Sequence, residues 1–210
     1  MSIKEFEVLP CSRKEIETFV ESNHYSKSIN GVNTQYCFKM MHGDNLIGAA
    51  IFATFGMANV WKKYSDDKKT ILELRRLCCV DEAPKNSESY LIGKCLRWLK
   101  NNTLIEHIIS YADMDYNHEG VIYKATNFDY LGKTNKGVRI KYGDKLYHDK
   151  TIRTYYKGKL KPYALKIKNA LECGDAEYIE SKGKHIYYYS LKRKRNPQLI
   201  WGDSTQWLYR

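Results

Sequence analysis

The apolar residues of this chain follow two patterns that take turns along it. Unbroken or mixed runs of strand length occupy Gln35–Met41, Leu46–Phe55 and Thr70–Val80. Stripes at helical spacing occupy Ile16, Phe19 and Val20, then Leu91, Ile92, Cys95, Leu96 and Leu99. Strands alternating with one-sided helices fold as stacked layers, which predicts an α/β protein with a mixed β-sheet and helices on both faces. The expected order is β-α-β-β-β-α-β-α-β. A strand over 3–9 precedes a helix opened by the capping box Ser12-Arg13-Lys14-Glu15 and ending near Asn23-His24-Tyr25. Gly43-Asp44-Asn45 reads as a hairpin turn between two strands, and Ser87-Glu88-Ser89 opens the second helix. A strand over Glu106–Asp113, a short helix over Asn117–Thr126 and a strand from Asn127 come next. Beyond residue 132 the pattern predicts short strands around Arg139–Tyr147 and His185–Leu191, with a helix near Tyr163–Glu172.

A length of 210 residues suits one domain, or one with a substantial appendage. With 4 Pro, 13 Gly and 13% aromatic residues, the composition excludes a collagen, a disordered chain and a disulfide framework. No apolar run approaches the roughly 18 residues of a membrane span. The opening MSIKEFEVLP has no apolar core of a secretory signal, which predicts a cytosolic protein. None of the six cysteines forms a C-x-x-C pair, and Cys78-Cys79 are adjacent, so they read as small buried hydrophobes rather than a metal site.

Charge is segregated. Residues 1–131 carry 16 basic and 17 acidic side chains, whereas residues 132–195 carry 18 basic and 6 acidic ones. Of 18 tyrosines, 14 lie after residue 110. Cations interleaved with flat rings suit phosphates and bases, which makes nucleic acid the favoured partner over a merely solvated face. The division predicts a core over 1–132 and a basic, tyrosine-rich extension over 133–210 that completes the sheet and contacts nucleic acid. Within it, Lys141, Lys145, His148, Arg153, Lys184, His185 and Tyr187 are candidate contacts.

Three further constellations carry potential chemistry. Lys85, Asn86, Ser87 and Ser89 stand at a strand-to-helix turn, where free N–H groups and two hydroxyls suit a phosphate-bearing cofactor; ordinary helix capping is the competing reading. Asp113 ends an apolar strand that includes Ser110-Tyr111, and His118 stands just beyond it, so the two suit a general base and a proton carrier. Asp113 as a cap of the next turn is the alternative. His24 ends the first helix, and with Asp113 and His118 it offers metal-ligand types from separate segments.

The strand order, the β-turn-α unit and Tyr123-x-x-x-Asn127-Phe128 resemble the GNAT acyltransferase superfamily, in which the matching element commonly reads Tyr-x-x-x-Gly-Phe. Further stretches resemble the phage DNA-modification family typified by Mom, which has a GNAT-like fold. They are His24-Tyr25-Ser26, Leu74-Arg75-Arg76-Leu77, Tyr111-Ala112-Asp113, His118-x-Gly120-x-Ile122-Tyr123-x-Ala125-x-Asn127, His148-x-x-x-x-Arg153 and Gly183-Lys184-His185-x-Tyr187-x-Tyr189. The resemblance implies an enzyme in the host bacterium's cytoplasm that adds a carbamoylmethyl group to adenine N6 and shields phage DNA from restriction. It places His24, Tyr25, Arg75, Asp113 and Tyr123 in the site, with a ring such as Tyr25 or Tyr111 available to stack on the base and Tyr123 to protonate a thiolate. It also implies iron, with His24 and Asp113 as ligands, and an acyl donor such as acetyl-CoA. The pyrophosphate loop usual in GNAT proteins is rich in glycine, but Asp81–Ser87 has none, which weakens the case for acetyl-CoA. Two other readings stand beside this one: an acetyl-CoA-dependent GNAT acyltransferase on another substrate, and a DNA-binding anti-restriction protein without catalysis.

Overall fold

The computed structural model describes residues 3–192, and the chain divides into two units, Met1–Ile109 with Tyr188–Arg210, and Ser110–Tyr187. The units do not part at residue 132, where the charge changes, because a late strand from the basic stretch carries the chain back into the first unit.

The first unit opens with β1 (Glu7–Cys11), α1 (Arg13–Asn23), β2 (Thr34–His42), β3 (Asn45–Ala53), β4 (Ile71–Cys79) and α2 (Ser87–Asn102). Residues 3–5, expected in the first strand, form a 3-10 turn instead. Strands β1 to β4 pair antiparallel in chain order. β5 (His107–Asp113) then starts beside β4, since the Glu106 N–H donates to Thr70 O at 2.7 Å, so these two strands run parallel. β10 (Lys184–Ser190) ends where β5 starts, with Leu191 N–H on Glu106 O at 2.8 Å, and is therefore antiparallel to it. The larger sheet is mixed, with the order β1-β2-β3-β4-β5-β10-β6, where β6 is Asp129–Lys133.

The unbroken apolar run of β3 is explained by its position. Ala49, Ile51 and Ala53 pack with Ile16 and Val20 of α1 and with Cys37 and Cys78. On the opposite face Phe52 meets Phe38 edge-on, and Phe38 meets Trp98 of α2. Gly48 lies on this second face, where a Cβ would fall 2.8 Å from Met40 Cε and 2.9 Å from Cys79 Sγ, so α2 approaches the strand closely. A helix of 11 residues is marginal in isolation, below roughly 12–15 residues. α1 therefore depends on burying Ile16 and Val20, each fully inaccessible, and on its capping box, in which Glu15 accepts both the Ser12 N–H and hydroxyl.

The second unit holds α3 (Val121–Ala125), β6, β7 (Gly137–Tyr142), β8 (Lys145–His148), α4 (Pro162–Cys173) and β9 (Ala176–Ser181). β8, β7 and β9 make a separate antiparallel sheet, packed on α4 through Ile140, Ile167, Ala170 and Ala176. The short strands expected around Arg139–Tyr147 form a hairpin, turning at Gly143 with φ +57°, and β9 had no counterpart in the reading of the sequence. Pro162 starts α4, and Gly174 at φ +84° ends it. α3 is shorter than expected, because Asp113 caps a 3-10 turn over Met114–Tyr116 and Asn117 then takes φ +57°.

Gly120 begins α3 at φ +70°, and a Cβ there would lie 2.2 Å from the ring of Tyr187. That ring cannot retreat. It is fully buried, packs on Tyr123 and Tyr130, and donates its hydroxyl to Glu119 O at 2.5 Å. Gly120→Ala adds backbone strain to overpacking and should destabilise the protein by roughly 3 kcal/mol, read as a lower urea midpoint at unchanged slope.

Candidate functional site

In the first unit the polar residues gather on β4. Ile51 pairs with Arg76 and Phe52 with Leu74, so Arg75 is the extra residue of a β-bulge. A bulge redirects side chains that a regular strand would send to opposite faces. Arg75 Nη1 donates to both oxygens of Glu73 at 3.1 and 3.2 Å, and Glu73 is buried. Gly56 lies beside this guanidinium, where a Cβ would stand 3.0 Å from Nη1. Arg76 reaches the other way: its Nε and Nη2 donate to Ser28 O at 3.0 and 2.9 Å, and its Nη1 to Arg75 O at 2.8 Å.

The segment held by Arg76 carries His24 and Tyr25. His24 is 5% exposed at the end of α1. Its Nδ1 lies 3.1 Å from the Ser26 N–H nitrogen. Ser26 Oγ lies 2.8 Å from that ring nitrogen and 3.1 Å from Ser28 O. The Tyr25 ring sits 4.2 Å from that of His24 and is 39% exposed. His24, Tyr25 and Arg75 are therefore linked through Ser26, Ser28 and Arg76. Of these, Glu73 and Ser28 gave no signal in the sequence, and the role of Arg76 needs the bulge to be seen.

In the second unit Asp113 is engaged on both oxygens. Oδ2 meets Arg139 Nη2 at 2.7 Å and Lys184 Nζ at 3.2 Å, and Oδ1 accepts the Asp115 N–H at 3.2 Å. The same guanidinium reaches Asp115 through Nε at 2.5 Å, and Asp115 also accepts from Ser181 Oγ and Lys182 N–H, each at 2.8 Å. Burial pushes the Asp115 carboxyl up, but these hydrogen bonds and Arg139 outweigh it and leave it below its ordinary value. Asp113 thus anchors Arg139 and Lys184 and caps the turn after β5, the alternative that the sequence also offered. Iron on His24 and Asp113 is corrected. Asp113 Oδ2 is already ion-paired to two cations, and among the described residues no group of three His, Cys, Asp or Glu could hold a metal ion. His118 is exposed, with its N–H on Asp113 O at 3.2 Å. Tyr111 is half-buried, and Tyr123 is buried against Phe128 and Tyr187.

The turn before α2 does not make a phosphate cradle. Ser87 is fully buried, and its hydroxyl and N–H both donate to Pro84 O, at 2.6 and 3.1 Å. Lys85 and Asn86 are exposed, Asn86 takes φ +73°, and Ser89 is half-buried. Of the four residues that the sequence suggested for coenzyme A, Ser87 is thus committed to Pro84. The cysteines offer no activated nucleophile either: burial pushes Cys11 and Cys78 up to about 12 and Cys37 to about 11, and raises Cys79 and Cys95. Cys173, expected with the others in the interior, is exposed.

The proposed nucleic-acid contacts differ in availability. Lys145 is exposed with no acidic partner among the described residues. Lys141 pairs with Glu177 at 3.6 Å, Arg153 and His148 share Asp149, and His185 Nδ1 lies 3.1 Å from Tyr130 Oη. Tyr187 is corrected: its ring and hydroxyl belong to the interior around Gly120, and no surface is left for a base. No helix among the described residues is long and apolar enough to cross a membrane.

The model of the Mom protein family matches residues 5–202. Over 159 residues the chain is 27% identical to the methylcarbamoylase Mom of Escherichia phage Mu, a match that covers 74% of this chain and 65% of that protein's length. Among solved structures it is similar to a Bacillus subtilis acetyltransferase in complex with CoA, at 11% identity, covering 88% of this chain and 97% of that one, with a TM-score of 0.47. It is also similar to the spermidine/spermine N-acetyltransferase SpeG of Vibrio cholerae in complex with manganese ions, at 10% identity, covering 90% and 94%, with a TM-score of 0.49.

The shared guanidinium leads to two expected outcomes. Arg139→Leu strips buried Asp113 and half-buried Asp115 of the cation they share, leaving only Lys184 on Asp113, and should destabilise the protein by about 3–5 kcal/mol in chemical denaturation. The folded-state lowering at Asp115 adds stability that is complete above its ordinary value near 4 and is lost as pH falls from there through the lowered value. Acid unfolding curves of Asp115→Asn should accordingly be flatter than those of the wild type below about pH 4.

Proposed function

Because this chain belongs to the Mom protein family, we propose that it is a transferase that modifies adenine in phage DNA, placing a carbamoylmethyl-type group on N6. The observation that carries this reading is the family match from residue 5 to residue 202, which spans nearly the whole described chain. The geometry around β4 supports it. Tyr25 offers an exposed ring on which a base drawn out of the duplex can stack, and chemistry on a base requires that extrusion. Arg75, braced by Glu73, is a fixed donor for negative charge that develops on the departing group. His24 is held by Ser26 against Tyr25 and orients its ring. A new N–C bond forms at N6, one N6 proton is released, and the donor's leaving group departs with the bonding pair.

The biological consequence is read from the base edge. Adenine shows its N6 amino group and N7 in the major groove, where asparagine and glutamine side chains read it. A bulky substituent on N6 blocks that contact, which would shield the DNA from restriction endonucleases of the host. Plasmid DNA from cells expressing the protein, digested to nucleosides and weighed by mass spectrometry, should contain adenine nucleoside of raised mass. Arg75→Lys, which keeps a cation beside buried Glu73 but loses the planar fork, should lower the modified fraction while the melting temperature stays close to that of the wild type. Wild-type protein that leaves every nucleoside at its normal mass would refute the proposal.

A further inference from the structure

From Lys150 to Leu171 the chain carries seven Lys or Arg and no Asp or Glu. At the centre of this run is a hairpin closed by two residues. Tyr156 N–H donates to Lys159 O at 2.8 Å, and Lys159 N–H returns to Tyr156 O at 3.1 Å. Lys157 at φ +50° and Gly158 at φ +75° occupy the turn, and two left-handed residues there make a type I′ hairpin. Glycine and asparagine take that conformation more readily than lysine. The tip therefore keeps a cation against the preference of its own backbone.

The hairpin is fastened at both ends. Before it, a 3-10 turn over Asp149–Ile152 is tied by Thr154 Oγ1 to Lys150 O at 2.8 Å and by Arg153 to Asp149. After it, Lys161 caps α4 and Pro162 starts the helix. Its aromatic residues are not core: Tyr155 is 59% and Tyr156 63% exposed, and neither joins the cluster around Ile140. Lys157 Nζ lies 5.6 Å over the Tyr156 ring. Lys159 and Lys161 are exposed and have no acidic partner among the described residues. Solubility accounts for lysines but not for two adjacent exposed rings on a rigid turn.

We propose that this hairpin is a DNA-contacting finger. Lys157, Lys159 and Lys161 meet phosphates, and Tyr155 and Tyr156 lay their rings against bases where the duplex is opened. Stacking on tyrosine tolerates any base. A preformed turn loses little freedom on binding. The inference rests on the reading of the chain as a DNA-modifying enzyme and assigns its grip on the substrate to residues outside the candidates named from the sequence.

The test is fluorescence anisotropy with a labelled duplex of about two helical turns, intact or carrying a central adenine bubble, over a series of salt concentrations. The triple variant Lys157→Asn, Lys159→Gln, Lys161→Gln keeps a residue that tolerates the turn. It should bind at least about tenfold more weakly at low salt, with the slope of log affinity against log salt shallower by about 2–3. Tyr155→Ser with Tyr156→Ser should lose roughly tenfold on the bubble and less on the intact duplex. A control removing three exposed lysines of the first unit, Lys14, Lys94 and Lys100, should bind like the wild type. Hairpin variants with unchanged affinity and salt slope, a control that loses as much, or wild-type protein that binds neither probe would overturn the proposal. Nucleoside mass spectrometry reads the underlying function separately. A wild type that grips DNA through the hairpin but alters no base sinks the modification reading alone, and hairpin variants that bind and modify DNA normally sink the finger alone.

Discussion

One guanidinium, that of Arg139, is shared by Asp113 and Asp115, and the second unit is organised around it. The two carboxylates sit at the end of β5 and in the 3-10 turn after it, and the cation comes from the middle of β7. Buried charges are costly to desolvate, and the arrangement persists because every oxygen has a donor and each Oδ2 has a second, from Lys184 or Ser181. The same contacts fix where α3 starts. With Asp113 capping the turn, Asn117 and Gly120 can take left-handed backbone and α3 begins under the Tyr187 ring. A residue type that often does chemistry is here occupied in holding the chain in place.

The first unit puts its polar groups elsewhere, on a defect in the sheet. Two adjacent arginines on an ordinary strand would face opposite sides. The bulge at Arg75 lets one brace against Glu73 while the other binds the loop after α1. Rigid β3, buried on both faces, is the reference against which that irregularity is held. The proposed activity uses the freedom that the bulge gives, and the sheet around it supplies the precision.

The first half of this architecture was legible because packing there is periodic. β3 has no polar face and α2 has one apolar stripe, so strand and helix are both written in side chains. β9 was missed for the opposite reason: Glu177, Tyr178 and Glu180 are exposed, and the strand is held to β7 by backbone pairing that leaves no mark on residue type. Asp113 and His24 were found as unusual residues, yet their partners were not. Arg139 is 26 residues from Asp113, and Arg76 is 48 from Ser28, separations that only a folded chain closes. Gly120 stood out within a motif, but its necessity comes from Tyr187, far along the chain, whose ring occupies the space of a Cβ.

The burial of the cysteines has a practical corollary. Four thiols are buried, Cys11 is half-buried with its proton firmly held, and Cys173 alone stands exposed at the end of α4. A maleimide dye offered to the native protein near neutral pH is thereby steered to one place on the second unit. The molecule comes with its own attachment point for a fluorophore, and energy transfer from labelled DNA can locate the bound polynucleotide without engineering any cysteine.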